Sequence, residues 1–543
     1  MKEEVKAAPS SHPLDVSFSS HDTRPSTVDI GNLSRRIAKG SGIVFAGQIA
    51  GKLVGVLLQI VLSRGLGKAL YGTYTLAISL MKILRGLGGL GLQGGVVRFS
   101  AEAKGQGDTA RVRGTVLAAL GIGTLASTLI AIGLYLTSTW WSTVVFTDPG
   151  LAPILRAFSV ATPFYVLTFL TSRAARGLQS MAADVSIGTV AQPFVNLVIV
   201  SSAFVLGYQL DGAIAAFVAS AVASAVLGMY VLTRIFPALW NGPSPQFRVS
   251  RLVGYSLPVM GVSLTALFID QADRVMIGIL ASTSDVGLYN IAALLATQVR
   301  FVLTAVSATF TPIISDLYHS GQRERLRRLF QITTRWIVTL SLPLAIVLAL
   351  FPEPLLWLFG PEFLVGVPVV FTLTIGTFLN SSVGTIGLML QMSDHERIVL
   401  IDNIASVVLN VGLNLWLIPL YGPLGAAIAT AVTITIVNAV QVYQVHTRLG
   451  MTPFDSDYLR PLAAGGVAGI FGWVASIAIG SALGSPWMLD AITGIVTTGI
   501  VYLAALFLIG VPKDDWTILS PFLRKSGLDV LMPDADRESR DDT

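Results

Sequence analysis

The chain has 543 residues, of which 53% are hydrophobic and only 12% are charged. A soluble domain carries roughly twice that charged fraction, so the composition excludes an ordinary soluble protein and indicates a membrane protein. The absence of cysteine excludes disulfides and thiolate metal sites. The net charge of +5 would suggest nucleic acid as the partner of a soluble chain. In a membrane chain the positions of the charges matter more, and we expect no nucleic-acid partner.

Apolar blocks of about 20 residues recur along the chain, each long enough to cross a hydrocarbon core of about 30 Å as a helix. Blocks of this length disfavour a β-barrel, so we predict an all-α polytopic membrane protein with about 14 transmembrane helices. The predicted spans are Gly42–Val61, Tyr74–Val97, Val116–Leu136, Pro153–Leu170, Val185–Leu206, Ile214–Leu232, Val253–Leu280, Ile291–Ile314, Trp336–Phe351, Val367–Leu390, Ile398–Leu417, Ala426–Val445, Leu462–Ile479 and Met488–Ile509.

The basic residues outside the spans lie almost entirely in alternate loops. If the N-terminus is cytoplasmic, the loops on its side contain most of the arginines, for example Arg98, Arg173 and Arg176. The opposite loops contain only Arg64 and Lys68. The positive-inside rule therefore predicts a multi-pass protein of the cytoplasmic cell membrane with both termini cytoplasmic. The basic clusters are interpreted as topogenic signals, with attraction of anionic lipid headgroups as the alternative.

The two halves of the chain resemble each other at an offset of about 215 residues. Tyr71–Tyr74 (YGTY) aligns with Val286–Tyr289 (VGLY), and Asn196 aligns with Asn410 at an offset of 214. Each half contains six predicted spans, so the halves share one orientation and are related by an axis along the membrane normal, around a central cavity. The predicted organisation is a disordered cytoplasmic tail at 1–40, an N-terminal six-helix lobe at 41–236, a C-terminal six-helix lobe at 251–447, two additional transmembrane helices at 458–510 and a cytoplasmic tail at 511–543.

Several basic residues fall inside the predicted spans. Arg85 and Arg300 occupy equivalent positions in the second span of each half, where an unpaired arginine costs about 3 kcal/mol. Lys52, Lys82 and Arg274 add further cations. We therefore predict a cationic cavity that binds an anionic headgroup through these five residues. Arginine suits phosphate in particular, because its planar fork binds two oxygens at once.

The acidic residues of the seventh span have two interpretations. Asp270 and Asp273 are candidates for ion coupling or for a gate. The alternative is structural, because Asp270 and Arg274 are four residues apart and can neutralise each other on one helix face. Lys82 and Arg85 also have a structural interpretation instead of a role in binding. In it, one of these side chains extends to the membrane surface or pairs with an acidic residue elsewhere in the chain.

Other motifs argue against catalysis. Gly86–Gly91 fits the pattern GxGxxG, but no strand precedes it, so we interpret it as a bent or closely packed helix. The histidines lack metal-ligand spacing and there is no Walker A sequence. We predict no catalytic residue, no metal, no cofactor and no enzymatic activity. Asn410 and Asn414 are expected to form interhelical hydrogen bonds.

Three segments resemble polysaccharide-type flippases of the multidrug/oligosaccharidyl-lipid/polysaccharide exporter superfamily. They are Leu62–Tyr74, Asp273–Ala292 and Ile418–Ala429, within a resemblance that covers about residues 35–510. The resemblance implies transport of a polyprenyl-(di)phosphate-linked oligosaccharide from the inner to the outer leaflet by alternating access. It also implies contact with membrane lipids and makes glycosyltransferases of the same pathway candidate partners.

The chain is similar also to lipid II flippases. Members of that group have fourteen helices, of which the last two shape a groove for the lipid tail. Their cavity arginines in the first, second and eighth helices bind diphosphate. Arg85 and Arg300 fall in the second and eighth helices here, whereas the first helix offers Lys52, which keeps the charge but loses the bidentate geometry.

Two other classes stay open at this point. A cation-coupled multidrug antiporter of the same superfamily predicts a net acidic cavity, whereas the cations in these spans outnumber the anions. A membrane glycan polymerase or ligase generally uses a large external loop with a catalytic arginine or histidine, and the predicted outer loops are short.

Overall fold

The computed structural model describes residues 30–483 and 487–510. This part of the chain contains no β-strand, and thirteen of its helices are long and apolar enough to cross a membrane. One of the thirteen, Gly47–Gly88, has 42 residues and bends at Gly67, where φ is 69° and ψ is 170°. At 1.5 Å per residue it is about 63 Å long, enough for two crossings. The predicted all-α polytopic class is confirmed.

The helices follow one another with short connections. In chain order they are α1 Ile30–Gly88, α2 Leu92–Gly105, α3 Thr109–Trp140, α4 Leu151–Gly177, α5 Met181–Val185, α6 Gln192–Val205, α7 Leu210–Ile235, α8 Ala238–Asn241, α9 Val249–Leu280, α10 Thr283–His319, α11 Arg323–Leu350, α12 Pro352–Trp357, α13 Val367–Ser382, α14 Ile386–Gln391, α15 Glu396–Tyr421, α16 Pro423–Leu449, α17 Leu459–Leu483 and α18 Trp487–Ile509.

The start of α1 differs from the prediction for the N-terminal tail. The helix begins at Ile30, so residues 30–40, which the sequence analysis assigns to a disordered tail, are helical. Leucine, isoleucine, alanine, lysine and arginine are frequent there, and these residue types have favourable or neutral helix propensities. The remaining residues of both predicted tails, 1–29 and 511–543, lie outside the described residues.

The glycine run breaks the predicted span Tyr74–Val97 in two. Helix α1 ends at Gly88 and α2 begins at Leu92, and Gly91 between them has a φ of 69°. A side-chain carbon at Gly91 would collide with the carbonyl oxygen of Ser256 and would lie 2.6 Å from the backbone nitrogen of Met260 in α9. Glycine is thus needed both for the backbone conformation and for the approach of α9. The interpretation of this run as a bend is confirmed.

Two glycines that the repeat pairs at an offset of 215 touch each other. A side-chain carbon at Gly287 would lie 2.9 Å from the Cα atom of Gly72 and 3.0 Å from the carbonyl oxygen of Lys68. A side-chain carbon at Gly72 would collide in turn with the carbonyl oxygen of Thr283, the equivalent of Lys68. Reciprocal contacts between equivalent residues are the mark of a twofold axis. They place an approximate twofold axis between α1 and α10.

Helices α17 and α18, which correspond to the two predicted spans outside the repeat, pack on α11. The Tyr502 hydroxyl donates a hydrogen bond of 2.8 Å to the carbonyl oxygen of Thr339. A side-chain carbon at Gly465 would meet the side chains of Leu342 and Ile346, so α17 approaches α11 closely. The last two spans are therefore attached to the C-terminal set, which we call the C-terminal lobe (α9–α16). The N-terminal lobe is α1–α7.

The arginine-poor loops join the two lobes. Arg64 donates hydrogen bonds of 2.8 Å to the carbonyl oxygens of Trp357 and of Leu358. The backbone nitrogen of Lys68 donates to the Glu362 carboxylate over 2.7 Å, and its ammonium group lies 3.8 Å from Asp285. We call this side of the molecule the arginine-poor face, and the opposite side the arginine-rich face.

A shared carboxylate completes the joint at the arginine-poor face. One oxygen of Asp148, which lies between α3 and α4, accepts hydrogen bonds from the hydroxyls of Thr73 at 2.9 Å and of Thr283 at 2.8 Å. Thr73 belongs to the N-terminal lobe and Thr283 to the C-terminal lobe. The lobes are thus closed against each other at this face.

Candidate functional site

A cavity of about 640 Å³ lies between α1, α2, α4 and α9, on the side of the arginine-rich face. Four arginines and no acidic residue are among the residues that line it. The lining residues used below are Arg85, Arg98, Phe169, Arg173, Arg176 and Tyr255. Because each arginine supplies five donors and no acceptor, the cavity suits an anion.

Aromatic rings hold the two inner arginines. The guanidinium carbon of Arg85 lies 4.9 Å from the ring centre of Tyr165 and 4.7 Å from that of Phe169. The guanidinium group of Arg173 lies 5.1 Å from the same Phe169 ring. Stacking on a ring face leaves the edge of a guanidinium group free to donate hydrogen bonds. The two arginines are therefore pre-positioned around one ring.

The other two arginines stand at the mouth of the cavity. Arg98 and Arg176 are exposed, and Arg98 lies 4.6 Å from the ring centre of Tyr255. Arg173 forms an ion pair of 3.6 Å with Asp184. Within the described residues no acid pairs with Arg85, Arg98 or Arg176. The positive charge of the cavity is thus largely uncompensated by the protein.

Three of the predicted site residues form a second charged cluster closer to the arginine-poor face. The charged groups that act on Lys82 are Arg274, Asp270 and Arg85. Arg274 donates to the side-chain oxygen of Asn290 over 2.9 Å and to the backbone carbonyl oxygen of Asp270 over 2.7 Å. The Asp270 carboxylate instead accepts from its neighbour Gln271. The side-chain ion pair between Asp270 and Arg274, the structural alternative, is therefore not formed.

The remaining two predicted cations lie between α1 and α10. The ammonium nitrogen of Lys52 is 3.6 Å from the ring centre of Phe301, and both Lys52 and Arg300 are exposed. Neither residue is among those that line the cavity around Arg85. The structure therefore does not bring Arg85 and Arg300 into one pocket, and the shared role predicted for them stays a prediction.

Asp273 is buried inside the C-terminal lobe, with 8% of its surface exposed. Its carboxylate accepts hydrogen bonds from the Tyr289 hydroxyl, from the Asn414 amide at 2.8 Å and from the Thr430 hydroxyl at 2.7 Å. The Asn410 amide donates to Thr430 over 3.3 Å. The predicted interhelical hydrogen bonds of both asparagines are confirmed, and Asp273 ties together α9, α10, α15 and α16.

Three of the four cavity arginines are not predicted as site residues from the sequence. Arg98, Arg173 and Arg176 lie at the ends of spans, where basic residues are interpreted as topogenic signals. A signal was present in α4, where Phe169, Arg173 and Arg176 are spaced i, i+4 and i+7 and so share one helix face. For metals, the structure between residues 30 and 510, apart from 484–486, contains no group of three or more histidine, aspartate or glutamate side chains suited to an ion.

Two family models match the chain. Residues 37–318 match the model described as "Polysaccharide biosynthesis protein", and residues 258–416 match the model MatE. The chain is 22% identical to the "Probable flippase AglR" of Haloferax volcanii over 414 residues, which are 75% of this chain and 83% of that relative. It is 27% identical to the "Probable low-salt glycan biosynthesis flippase Agl15" of the same organism over 194 residues, 35% of this chain and 41% of that relative.

Solved structures with the same fold come from two groups of transporters. The lipid II flippase MurJ in an inward closed conformation is similar with a TM-score of 0.65 and 13% identity, over 90% of this chain and 100% of that chain. An inward-facing multidrug resistance transporter of the MATE family is similar with a TM-score of 0.59 and 17% identity, over 74% and 94%. These similarities show the fold alone. The match to residues 37–318 covers more than half of the 543 residues, so the chain belongs to the polysaccharide biosynthesis protein family.

Proposed function

We propose that this protein is a flippase that moves a polyprenyl-(di)phosphate-linked oligosaccharide across the cytoplasmic membrane by alternating access. The observation that carries the proposal is the arginine-lined cavity, which lies on the arginine-rich face while the lobes are closed at the opposite face. An unpaired arginine within a span costs about 3 kcal/mol, so Arg85 at the inner end of the cavity favours an anionic ligand. A lipid phosphate supplies that charge.

The basic residues form a path from one face toward the other. Arg85 and Arg173 offer the first pair of planar donors for a phosphate, around Phe169. Lys82 and Arg274 continue the path toward the closed joint. The headgroup passes along these residues from the cavity to the joint. Meanwhile the lobes close at the arginine-rich face and open at the arginine-poor face.

Lys52 and Arg300 extend the positive surface at the interface between the lobes. They lie on α1 and α10, the two helices next to the approximate twofold axis. A site at this interface changes shape when the lobes rotate against each other. We propose that Lys52 and Arg300 hold the phosphate after it leaves Arg85.

Orientation and partners follow from the same proposal. The arginine-rich face is cytoplasmic, both termini are cytoplasmic, and the cavity receives its substrate from the inner leaflet. One relative is named as a probable flippase and another as a probable flippase for glycan biosynthesis, which supports a lipid-linked glycan as the transported substrate. Glycosyltransferases that build the glycan on its lipid are the proposed neighbours in the pathway.

The buried carboxylate is the proposed coupling site. Asp273 accepts hydrogen bonds from Asn414 and Thr430, Asn410 bonds to both of these side chains, and the side-chain oxygen of Asn414 has no hydrogen-bond donor. A carboxylate with amide and hydroxyl oxygens suits a proton or a small hard cation. Asp270, which is exposed near Lys82, is the proposed gate residue.

The second candidate function is a cation-coupled antiporter. The MatE match and the fold shared with a multidrug transporter favour it. An organic cation, however, would meet four arginines and no lining acid in the cavity, and like charges repel in a medium of low dielectric constant. Because the cavity is positively charged, an anionic lipid is favoured over an organic cation as the substrate. We propose a transporter rather than a polymerase or ligase.

The test replaces the two equivalent arginines. Cells that carry Arg85→Ala together with Arg300→Ala are expected to accumulate the lipid-linked glycan in the inner leaflet, at unchanged protein level. The leaflet distribution is measured with a membrane-impermeant label for sugars. Arg234→Ala, which removes an exposed arginine at the end of α7, is the matched control and should export normally. Normal export by the double variant would contradict the proposal.

A further inference from the structure

The cavity holds its arginines at two separate aromatic rings. Arg85 lies in α1 and stacks with Arg173 around Phe169, whereas Arg98 lies thirteen positions later in α2 and stacks on Tyr255. The bend at Gly91 lies between Arg85 and Arg98, and both line the same cavity. The mouth arginines, Arg98 and Arg176, are therefore available to a second group of the ligand beside the one held at Phe169.

The number of charges in the cavity also indicates a second anionic group in the ligand. A glycan joined to its lipid through a diphosphate has one ionised oxygen on each phosphorus, hence two negative charges. Arg85 and Arg173 are the two arginines at the Phe169 ring that can meet these charges, and Arg173 also keeps its ion pair with Asp184. Arg98 and Arg176 are then left without an anion, and the described residues supply none. Arginine offers donors only, so its preferred ligand is a group that only accepts, such as a carboxylate or a sulfate.

The rings at the mouth fit the same kind of ligand. Tyr255 lies under Arg98 at 4.6 Å and also lines the cavity. A ring under a guanidinium group limits its movement and leaves its donors available to a ligand. The guanidinium group can bind the acidic group of a sugar, while the neighbouring aromatic ring contacts the apolar face of the same sugar.

We infer that the mouth of the cavity binds acidic sugars, so that the transported glycan carries carboxylate or sulfate groups close to its lipid phosphate. This inference rests on the proposed function, because it names the substrate class of the same cavity. The phosphate occupies Arg85 and Arg173, and the acidic sugar occupies Arg98 and Arg176.

The test measures binding to the full-length protein in phosphatidylcholine nanodiscs. The probes are tetragalacturonate, its neutral counterpart maltotetraose, and inorganic pyrophosphate. Tetragalacturonate is expected to bind at least about tenfold more tightly than maltotetraose, because each charge-assisted hydrogen bond that is lost costs about that factor. The double variant R98Q/R176Q should lose this preference. In R85Q the larger loss should be for pyrophosphate.

The control variant is R234Q/R325Q, which removes two exposed arginines from the same face away from the cavity and should keep the preference. Equal affinities for the acidic and the neutral tetrasaccharide would overturn the inference, and so would a preference that survives in R98Q/R176Q. A competing source of anions is lipid headgroups. If phosphatidylglycerol in the nanodisc abolishes tetragalacturonate binding, the mouth is a headgroup site and the inference is wrong. Pyrophosphate binding that does not respond to R85Q would instead contradict the proposed function.

Discussion

At the scale of single residues, the two lobes differ at the buried carboxylate of Asp273. Tyr74 and Tyr289 are equivalent in the repeat, and so are Asn196 and Asn410, and both tyrosines are buried. Asp273, however, has Leu58 as its counterpart at the offset of 215. The polar cluster of the C-terminal lobe is therefore built around a carboxylate that the N-terminal lobe lacks. A coupling or gating role that depends on a buried acid belongs to the C-terminal lobe alone.

Replacing Asp273 by asparagine tests how much this carboxylate stabilises the lobe. Asp273→Asn places an amide donor opposite hydroxyl and amide donors, and one buried hydrogen bond left unmade costs about 1–3 kcal/mol. We expect a lower midpoint of thermal unfolding, followed by tryptophan fluorescence in detergent. Asp270→Asn is the matched control, because that side chain is exposed on the same helix. An unchanged midpoint for Asp273→Asn would show that the cluster is not stabilised by the charge.

At the scale of elements, the bend between α1 and α2 shapes the cavity. Arg85 precedes the bend and Arg98 follows it, and α9 reaches both parts of the chain because Gly91 has no side chain. The same glycine thus sets the direction of α2 and the distance to α9. A straight helix would carry the mouth arginine away from Arg85.

Gly91→Ala is expected to be strongly destabilising. The added carbon requires a shift of the Ser256 carbonyl group in α9, and alanine disfavours a φ of 69°. Overpacking of this kind costs about 1–3 kcal/mol. The yield of folded protein and its unfolding midpoint are the measurements. Gly121→Ala in α3, where an added carbon meets nothing within 4 Å, is the control and should leave both unchanged. Equal yields and equal unfolding midpoints for Gly91→Ala and Gly121→Ala would contradict close packing at Gly91.

The helices could be predicted from the sequence, and the cavity could be predicted only in part. A block of about 20 apolar residues is a local signal, and so are the repeat and the glycine run. Arg85 was found because a charge inside a span is conspicuous. Arg98 and Arg176 were missed because an arginine at the end of a span serves topology and ligand binding equally well. The burial of Asp273 depends on helices that lie far apart in the chain.

At the scale of the whole molecule, hydrogen bonds and buried apolar side chains hold the lobes together at one face. Arg64, Lys68 and Asp148 connect the lobes through hydrogen bonds, and two glycines meet at the approximate twofold axis. Hydrogen bonds at a water-exposed face are individually weak, at about 0.5–1.5 kcal/mol net. Such a joint can open when ligand binding favours the other state. Opening at this face would release the headgroup to the opposite leaflet.

A reversible cross-link of this joint tests transport by alternating access most directly. The hydroxyl oxygens of Thr73 and Thr283 are 3.4 Å apart across the two lobes, and the natural chain has no cysteine. In Thr73→Cys together with Thr283→Cys, oxidation should therefore lock the arginine-poor face. The measurement is the movement of a fluorescent polyprenyl-diphosphate glycan across proteoliposomes, with Thr73→Cys alone as the control. Alternating access predicts that oxidation stops translocation and that reduction restores it. Translocation at the full rate with the cross-link formed would contradict transport through this cavity.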